Sequence, residues 1–318
     1  MIILSIVIVL YMNRRDKMFD LKYTYKNMPK DTMNVPGMKI IQGDKEEPHV
    51  YIPYDIEYAV KDQYPLHIRM MIPEVMDQEC HYPLYIHIQG SAWYEQNLNE
   101  LIVDLSPICK AGYVIAIIQY RPSNIKIFPA QVEDVKTAVR FLMFHQDEYP
   151  IDTQHIYLGG DSSGGHIAMM CYATWNEPIF DTEKTPLPNI NAFLDFYGPI
   201  NFLTEVEQIS GIDRSQGQSY PEADLFNVND IRLFPKKAKE ANPMTYIKKD
   251  KYYPPLLIMH GNKDRLVPFR QSVELFQYVQ SLGHRVTFYQ VNDADHSGSC
   301  FWSHKTIDIV IDFLKRCY

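Results

Sequence analysis

Glycine is scarce in this chain, at 14 of 318 residues. Average usage would be about 7 %, so no flexible Gly/Ser linker divides the sequence, and no proline-rich one does either. One large domain with an insertion fits better than two domains. Internal repeats and low-complexity tracts are also missing, which excludes solenoid and propeller architectures. The five cysteines, Cys80, Cys109, Cys171, Cys300 and Cys317, are odd in number and far apart, with no C-x-x-C pair. Neither a zinc knuckle nor a disulfide framework follows from such spacing, and reduced thiols in a cytoplasmic protein are the simplest expectation. A formal net charge of −8 argues against nucleic acid or an anionic membrane surface as partner.

Long apolar runs are absent except at the start, where residues 1–12 are continuously apolar or nearly so. That run is shorter than the roughly 20 residues a membrane span needs. No basic segment precedes it, Arg14 and Arg15 follow it instead, and no small-residue cleavage site closes it, so it makes a poor signal peptide. The favoured reading of residues 1–20 is an over-extended start with initiation at Met12 or Met18. A short membrane-associating segment and a docking segment are the alternatives.

What is present is the composition of an ordinary globular protein, 46 % apolar and 22 % charged, in a chain long enough for a large core. Tyrosine is abundant at 23, which suggests half-buried packing and some lining of a polar-aromatic cleft. Alternation from His49 to Met71 predicts closely spaced strands, hence an antiparallel edge. Short apolar runs at 84–88, 114–118, 155–159, 192–197, 256–259 and 286–291 predict buried strands. Helical spacing predicts helices over 98–110, 129–145, 269–279 and 306–315. Strands alternating with helices imply an α/β fold, a mostly parallel sheet covered on both faces. Residues 21–318 are therefore expected to form a single domain. The polar stretch of about 200–245 breaks the rhythm and is expected to be a cap insertion over the site.

The most pointed motif is Gly160-Asp161-Ser162-Ser163-Gly164, lying between the apolar run Ile156-Tyr157-Leu158 and the helical segment from Gly165 onward. A G-x-S-x-G at a strand–turn–helix junction holds its central serine exposed on a strained apex. Ser162 is the central serine, because Asp161 stands where Ser163 would need a glycine. A serine hydroxyl needs a base, and the base a supporting carboxylate. Asp264, in the loop after the 256–259 strand, and His296, in the loop after the 286–291 strand, complete the chain order Ser, Asp, His. Asp293 and Asp295 lie too close in sequence to His296 to orient it easily. Among the other histidines, His87 reads as core packing, His166 as packing or pocket lining, and His284 and His304 as surface residues. His260 is the strongest alternative base.

An oxyanion needs donors already in place. The backbone N–H of Ser163 is one candidate, and the loop Gln89-Gly90-Ser91-Ala92-Trp93 should supply the others. Ser91 and Ala92 are expected to donate, with Gly90 and Trp93 bordering the substrate pocket. No metal or organic cofactor is required.

The chain resembles the α/β-hydrolases of the esterase/lipase group that includes hormone-sensitive-lipase-like and feruloyl-esterase-like carbohydrate esterases. The residues that carry the resemblance are Gln89–Trp93, Tyr120-Arg121, Phe128–Gln131 with Asp134, Gly160–Gly165, Tyr197-Gly198-Pro199, Asn242-Pro243, His260-Gly261 with Asp264 and Val267-Pro268, and His296. The family has His-Gly-Gly-Gly-Trp where this chain has Gln-Gly-Ser-Ala-Trp. The resemblance implies a serine carboxylesterase acting on a small-molecule ester with a short acyl group, acetyl esters of sugars among them. An arylformamidase, a prolyl-oligopeptidase-like peptidase and a non-catalytic ligand-binding hydrolase fold are the other readings, although the chain has no room for a peptidase's propeller. Self-association is left open.

Overall fold

The structure is a computed structural model that describes residues 22–43, 48–53, 55–74, 80–205, 208–213 and 220–318. The apolar run at residues 1–12 lies outside the described residues, as do Met12 and Met18.

The strands are β1 (His49–Tyr51), β2 (Ile56–Lys61), β3 (Tyr64–Glu74), β4 (Tyr82–Ile88), β5 (Val114–Ile118), β6 (Ile151–Asp161), β7 (Ala192–Phe196), β8 (Leu256–Gly261) and β9 (Val286–Val291). They form one 9-stranded sheet in the order β1-β3-β5-β4-β6-β7-β8-β9, with β2 also paired to β3. β3 runs antiparallel to β1, β2 and β5, which makes the expected antiparallel edge. From β5 to β9 every pairing is parallel. The chain leaves β4 for β5 on one side and returns to β6 on the other, so strand order reverses between β4 and β6. The crevice beyond the carboxyl ends of strands at such a point is where open α/β sheets bind ligands.

Side-chain alternation explains the layers. Leu84, Ile86 and Ile88 of β4 and Val114, Ala116 and Ile118 of β5 face one core. Tyr85, Ile115 and Ile117, one residue out of phase, face the other. Helices α1 (Ile102–Lys110) and α8 (His304–Arg316) cover the second face. Helices α2 (Ala130–Phe144), α3 (Ser163–Thr174) and α7 (Arg270–Ser281) cover the first. The stripe Ile307, Val310, Phe313 and Leu314 is buried as its helical spacing requires.

Between β7 and β8 the described residues form short helices, α4 (Phe202–Glu205), α5 (Pro221–Asp224) and α6 (Pro235–Glu240), plus single turns. Phe202, Leu225, Phe226, Ile231, Ala238 and Ala241 pack from there onto the α2/α3 face. A cavity of about 560 Å³ sits at the opposite, amino-terminal end of the strands, against Trp175, Tyr252, Arg285 and Tyr318, well away from Ser162.

One expectation is corrected and another holds in part. The helix foreseen over 98–110 begins only at Ile102, because the Asn97 side chain accepts the Asn99 N–H and closes a turn first. The tyrosines divide: Tyr85, Tyr120, Tyr157, Tyr172 and Tyr197 are fully buried, while Tyr51, Tyr64, Tyr82, Tyr149, Tyr278 and Tyr289 are half-buried as expected.

Helix α3 crosses β4 at unusually short range. A Cβ on Gly164 would overlap the Ile88 carbonyl, which is backbone and cannot swing aside. Gly164→Ala is expected to destabilise the protein by about 3 kcal/mol, the upper range for overpacking. Gly43→Ala, with nothing within 4 Å, should leave it unchanged. Urea unfolding midpoints of the two variants check this.

Candidate active site

The β6–α3 turn puts Ser162 at φ +51° and ψ −124°, a conformation that non-glycine residues rarely adopt. Such strain costs on the order of 1–3 kcal/mol and persists only where the surroundings enforce it. Here the Ser162 N–H is held by the Phe196 carbonyl at 2.9 Å, and the Gly90 N–H bonds from the other side to Asp161 Oδ1 at 2.9 Å. A Cβ on Gly90 would stand 2.7 Å from Ser162 Cβ. Gly90 thus abuts the serine itself and is partly exposed beside it.

Asp264 follows β8 and His296 follows β9, both at the carboxyl edge next to Ser162. His296 Nε2 lies 2.9 Å from Ser162 Oγ, and His296 Nδ1 lies 2.6 Å from Asp264 Oδ2. With Nδ1–H donating to the carboxylate, Nε2 is left to accept the serine proton. The other carboxylate oxygen, Oδ1, accepts the N–H groups of Leu266 and Val267, each at 2.8 Å, so the acid cannot rotate away. Burial works against charge on Asp264, but hydrogen bonds from His260 and His296 outweigh it and hold the pKa below the usual carboxylate range. The acid is ionised at neutral pH, as a group supporting an imidazolium must be.

His260 does not compete for Ser162. It is fully buried, its Nε2 directed at Asp264 Oδ2 (3.1 Å) and the Val267 carbonyl (3.0 Å), and its Nδ1 bonded to Ser272 Oγ at 2.7 Å. It is a second partner of the acid, a role that its position four residues before Asp264 could have suggested. The rival carboxylates are engaged elsewhere, Asp293 with Lys263 and Asp295 with Arg265. Those pairs, with the Lys263 N–H on the Ala294 carbonyl at 3.0 Å, fasten the acid loop to the histidine loop. The Tyr197 ring packs edge-to-face on His296 at 4.8 Å.

His87 is buried but polar in its contacts. Its Nε2 meets Asp161 Oδ1 at 3.0 Å, and Asp161 also accepts the Gly90 N–H at 2.9 Å. His166 packs in the core. Burial lowers its pKa to about 4, so it is neutral, with Nε2–H on the Ala241 carbonyl and Nδ1 accepting from Trp93 Nε1 at 3.3 Å.

The oxyanion loop departs from expectation at two residues. Trp93, expected at the pocket, is 4 % exposed and wedged edge-on against His166 and Phe202. Ser91, expected as a donor, already gives its N–H to Ser163 Oγ at 2.8 Å. Neither the Ala92 nor the Ser163 N–H has a hydrogen-bond partner among the described residues, and the Trp93 N–H has none either. Ala92 (φ +54°) and Trp93 (φ +59°) are both left-handed, each at a cost of about 1 kcal/mol that glycine would not incur.

A strained serine at a strand–turn–helix junction, a histidine and a carboxylate from successive later strands, and this strand order together define an α/β-hydrolase. The chain belongs to the BD-FAE family, whose model matches residues 70–279. It is similar to a probable carboxylic ester hydrolase, LipM, of Mycobacterium tuberculosis, at 29 % identity over 74 % of this chain and 54 % of the relative. It is also similar to the esterase LipC of the same organism, at 24 % identity over 67 % of this chain and 52 % of the relative. The chain thus spans about half the length of these curated relatives. Among solved structures, a truncated carbohydrate esterase from gut microbiota superposes with a TM-score of 0.73 at 27 % identity, covering 86 % of this chain and 98 % of that one. Thermogutta terrifontis esterase 2 phosphonylated by sarin, with a TM-score of 0.64 and 20 % identity over 86 % of this chain and 96 % of its own, shares the fold.

Asp195 of β7 lies beside Gly160 in register and is fully buried. Its Oδ1 accepts the Gly198 N–H at 3.0 Å, while Oδ2 has no partner. Burial pushes its pKa up to about 8. Between the ordinary carboxylate value of about 4 and that raised value, the folded protein keeps a proton that the unfolded chain has released. Stability therefore falls as pH rises through this window and levels off above it. Asp195→Asn cannot ionise, so its melting temperature should gain on the wild type steadily from pH 5 to pH 8, as calorimetry across that range would record.

Proposed function

We propose that this protein is a serine carboxylesterase that hydrolyses short-chain carboxylic esters, acetyl esters of sugars among them, through an acyl-enzyme. The observation that carries the proposal is the unbroken hydrogen-bonded chain from Ser162 Oγ through His296 to Asp264. The esterase names of the relatives and the carbohydrate esterase similarity support the substrate class.

The geometry supports the following order of events. Ser162 Oγ attacks the ester carbonyl carbon as its proton passes to His296 Nε2. Asp264, already ionised, stabilises the imidazolium without taking a proton. The oxyanion that forms meets the N–H groups of Ser163 and Ala92. Ser163 opens helix α3, so the positive end of the helix dipole adds to the same stabilisation. His296 then delivers its proton to the alcohol oxygen, which leaves. Water, deprotonated by the same histidine, releases the acid. A cytoplasmic setting, expected from the cysteine spacing, belongs to the same proposal.

Ser162→Ala should lower turnover of p-nitrophenyl acetate by on the order of 10⁶, because the members of such a chain act as a unit. A loss of only a few-fold would sink the assignment. On the wild type, p-nitrophenyl acetate and an acetylated xylo-oligosaccharide should be cleaved faster than a long-chain p-nitrophenyl ester. Preferential cleavage of an aryl formamide would instead make the enzyme an arylformamidase.

A further inference from the structure

The loop that lines one wall of the site keeps Ala92 and Trp93 in the left-handed region without a glycine at either position. Something must hold it there. The fully buried Tyr120 hydroxyl lies 2.9 Å from Ser91 Oγ, 3.2 Å from Ser163 Oγ and 3.2 Å from the Gln89 carbonyl. Ser163 Oγ accepts the Ser91 N–H at 2.8 Å. Ser91 Oγ donates to the Tyr94 carbonyl at 2.7 Å, which closes the turn on itself.

The hydrogens can be assigned without a conflict. Ser91 O–H goes to the Tyr94 carbonyl, Ser163 O–H to the Tyr120 oxygen, and Tyr120 O–H to Ser91 Oγ at 2.9 Å, shared with the Gln89 carbonyl at 3.2 Å, while Ser163 Oγ keeps a lone pair for the Ser91 N–H. Tyr120 is itself fixed. Its N–H bonds to Gln96 Oε1 at 3.0 Å, and the next residue, Arg121, is locked onto buried Asp134 through both carboxylate oxygens. Ser163 immediately follows Ser162, so the network joins the first turn of α3 to the facing loop through two hydroxyl side chains and the loop backbone.

We propose that Tyr120 and Ser163 are positioning residues for the oxyanion site. Their hydroxyls anchor Ser91, hold Ala92 and Trp93 after it in the left-handed region, and so keep the Ala92 N–H available to the oxyanion. They take over the conformational role that permissive glycines would otherwise play. This rests on the serine-esterase reading above and adds to it how this chain sustains the site with serine and alanine in the loop.

The test is a rescue, read with p-nitrophenyl acetate. Tyr120→Phe keeps the buried ring and removes only the hydroxyl. It should lower kcat by about 10- to 100-fold, approaching the loss of one oxyanion donor, with KM within about twofold because binding before the oxyanion forms is unaffected. Adding Ala92→Gly to Tyr120→Phe should recover most of the lost kcat, since glycine adopts the left-handed conformation without support. Ser163→Ala, alone and with Ala92→Gly, repeats the comparison and serves in its place should Tyr120→Phe fail to fold.

The proposal is overturned if the single variants keep kcat within twofold of wild type, or if Ala92→Gly recovers nothing. The second outcome would make the hydroxyls ordinary packing groups. Labelling the wild type with an organophosphate separates this from the parent reading. No adduct on Ser162 overturns the serine mechanism itself, whereas a normal adduct with unaffected variants overturns only the positioning role.

Discussion

The contact between helix α3 and strand β4 governs the active centre. Backbone meets backbone where Gly164 passes the Ile88 carbonyl, and no side chain fits between them. That approach bends the chain through the serine turn tightly enough to force Ser162 into a left-handed conformation and lift its hydroxyl clear of the sheet. It also brings the exit of β4, and with it the oxyanion loop, against the first turn of α3. The Ser162 turn and the Gly90–Trp93 loop are thus set side by side by one close packing.

Around this junction the protein keeps polar groups in buried places by pairing nearly all of them. Asp161 takes the Gly90 N–H and His87, and Asp264 takes two backbone N–H groups and two histidines. Tyr120 gathers the hydroxyls of the loop. An unpaired buried polar group costs about 1–3 kcal/mol, so such networks fix geometry more sharply than apolar contacts of the same area. Gln89 Oε1, the Tyr197 hydroxyl and Asp195 Oδ2 are exceptions among the described residues. Burial pushes the pKa of Asp195 up to about 8, which favours its protonated form near neutrality.

Much of the site was legible in the linear chain. Ser162, Asp264 and His296 were each identifiable from a local pattern, a loop following a short apolar run, and from their order. The alternating strands and helices were readable for the same reason, since hydrophobic period is a local property. The start of α1 was less so, because Asn97 intervenes with a side-chain turn that periodicity does not register. Between β7 and β8 the described residues form short helices with weak periodicity of their own, and their apolar residues find meaning only against α2 and α3.

The sequence by itself determined the α/β alternation, the nucleophile's turn and the Ser–Asp–His order, because each depends on neighbours within a few residues. Tertiary structure alone decided that His260 serves the acid rather than the serine, and that Trp93 packs inward on His166 rather than lining a pocket. It also decided that the Ser91 N–H is spent on Ser163 and that Tyr120 stands at the centre of the loop's hydroxyls. These outcomes turn on which groups from distant segments come within about 3 Å, the range over which a hydrogen bond forms, and spacing along a chain carries no record of that.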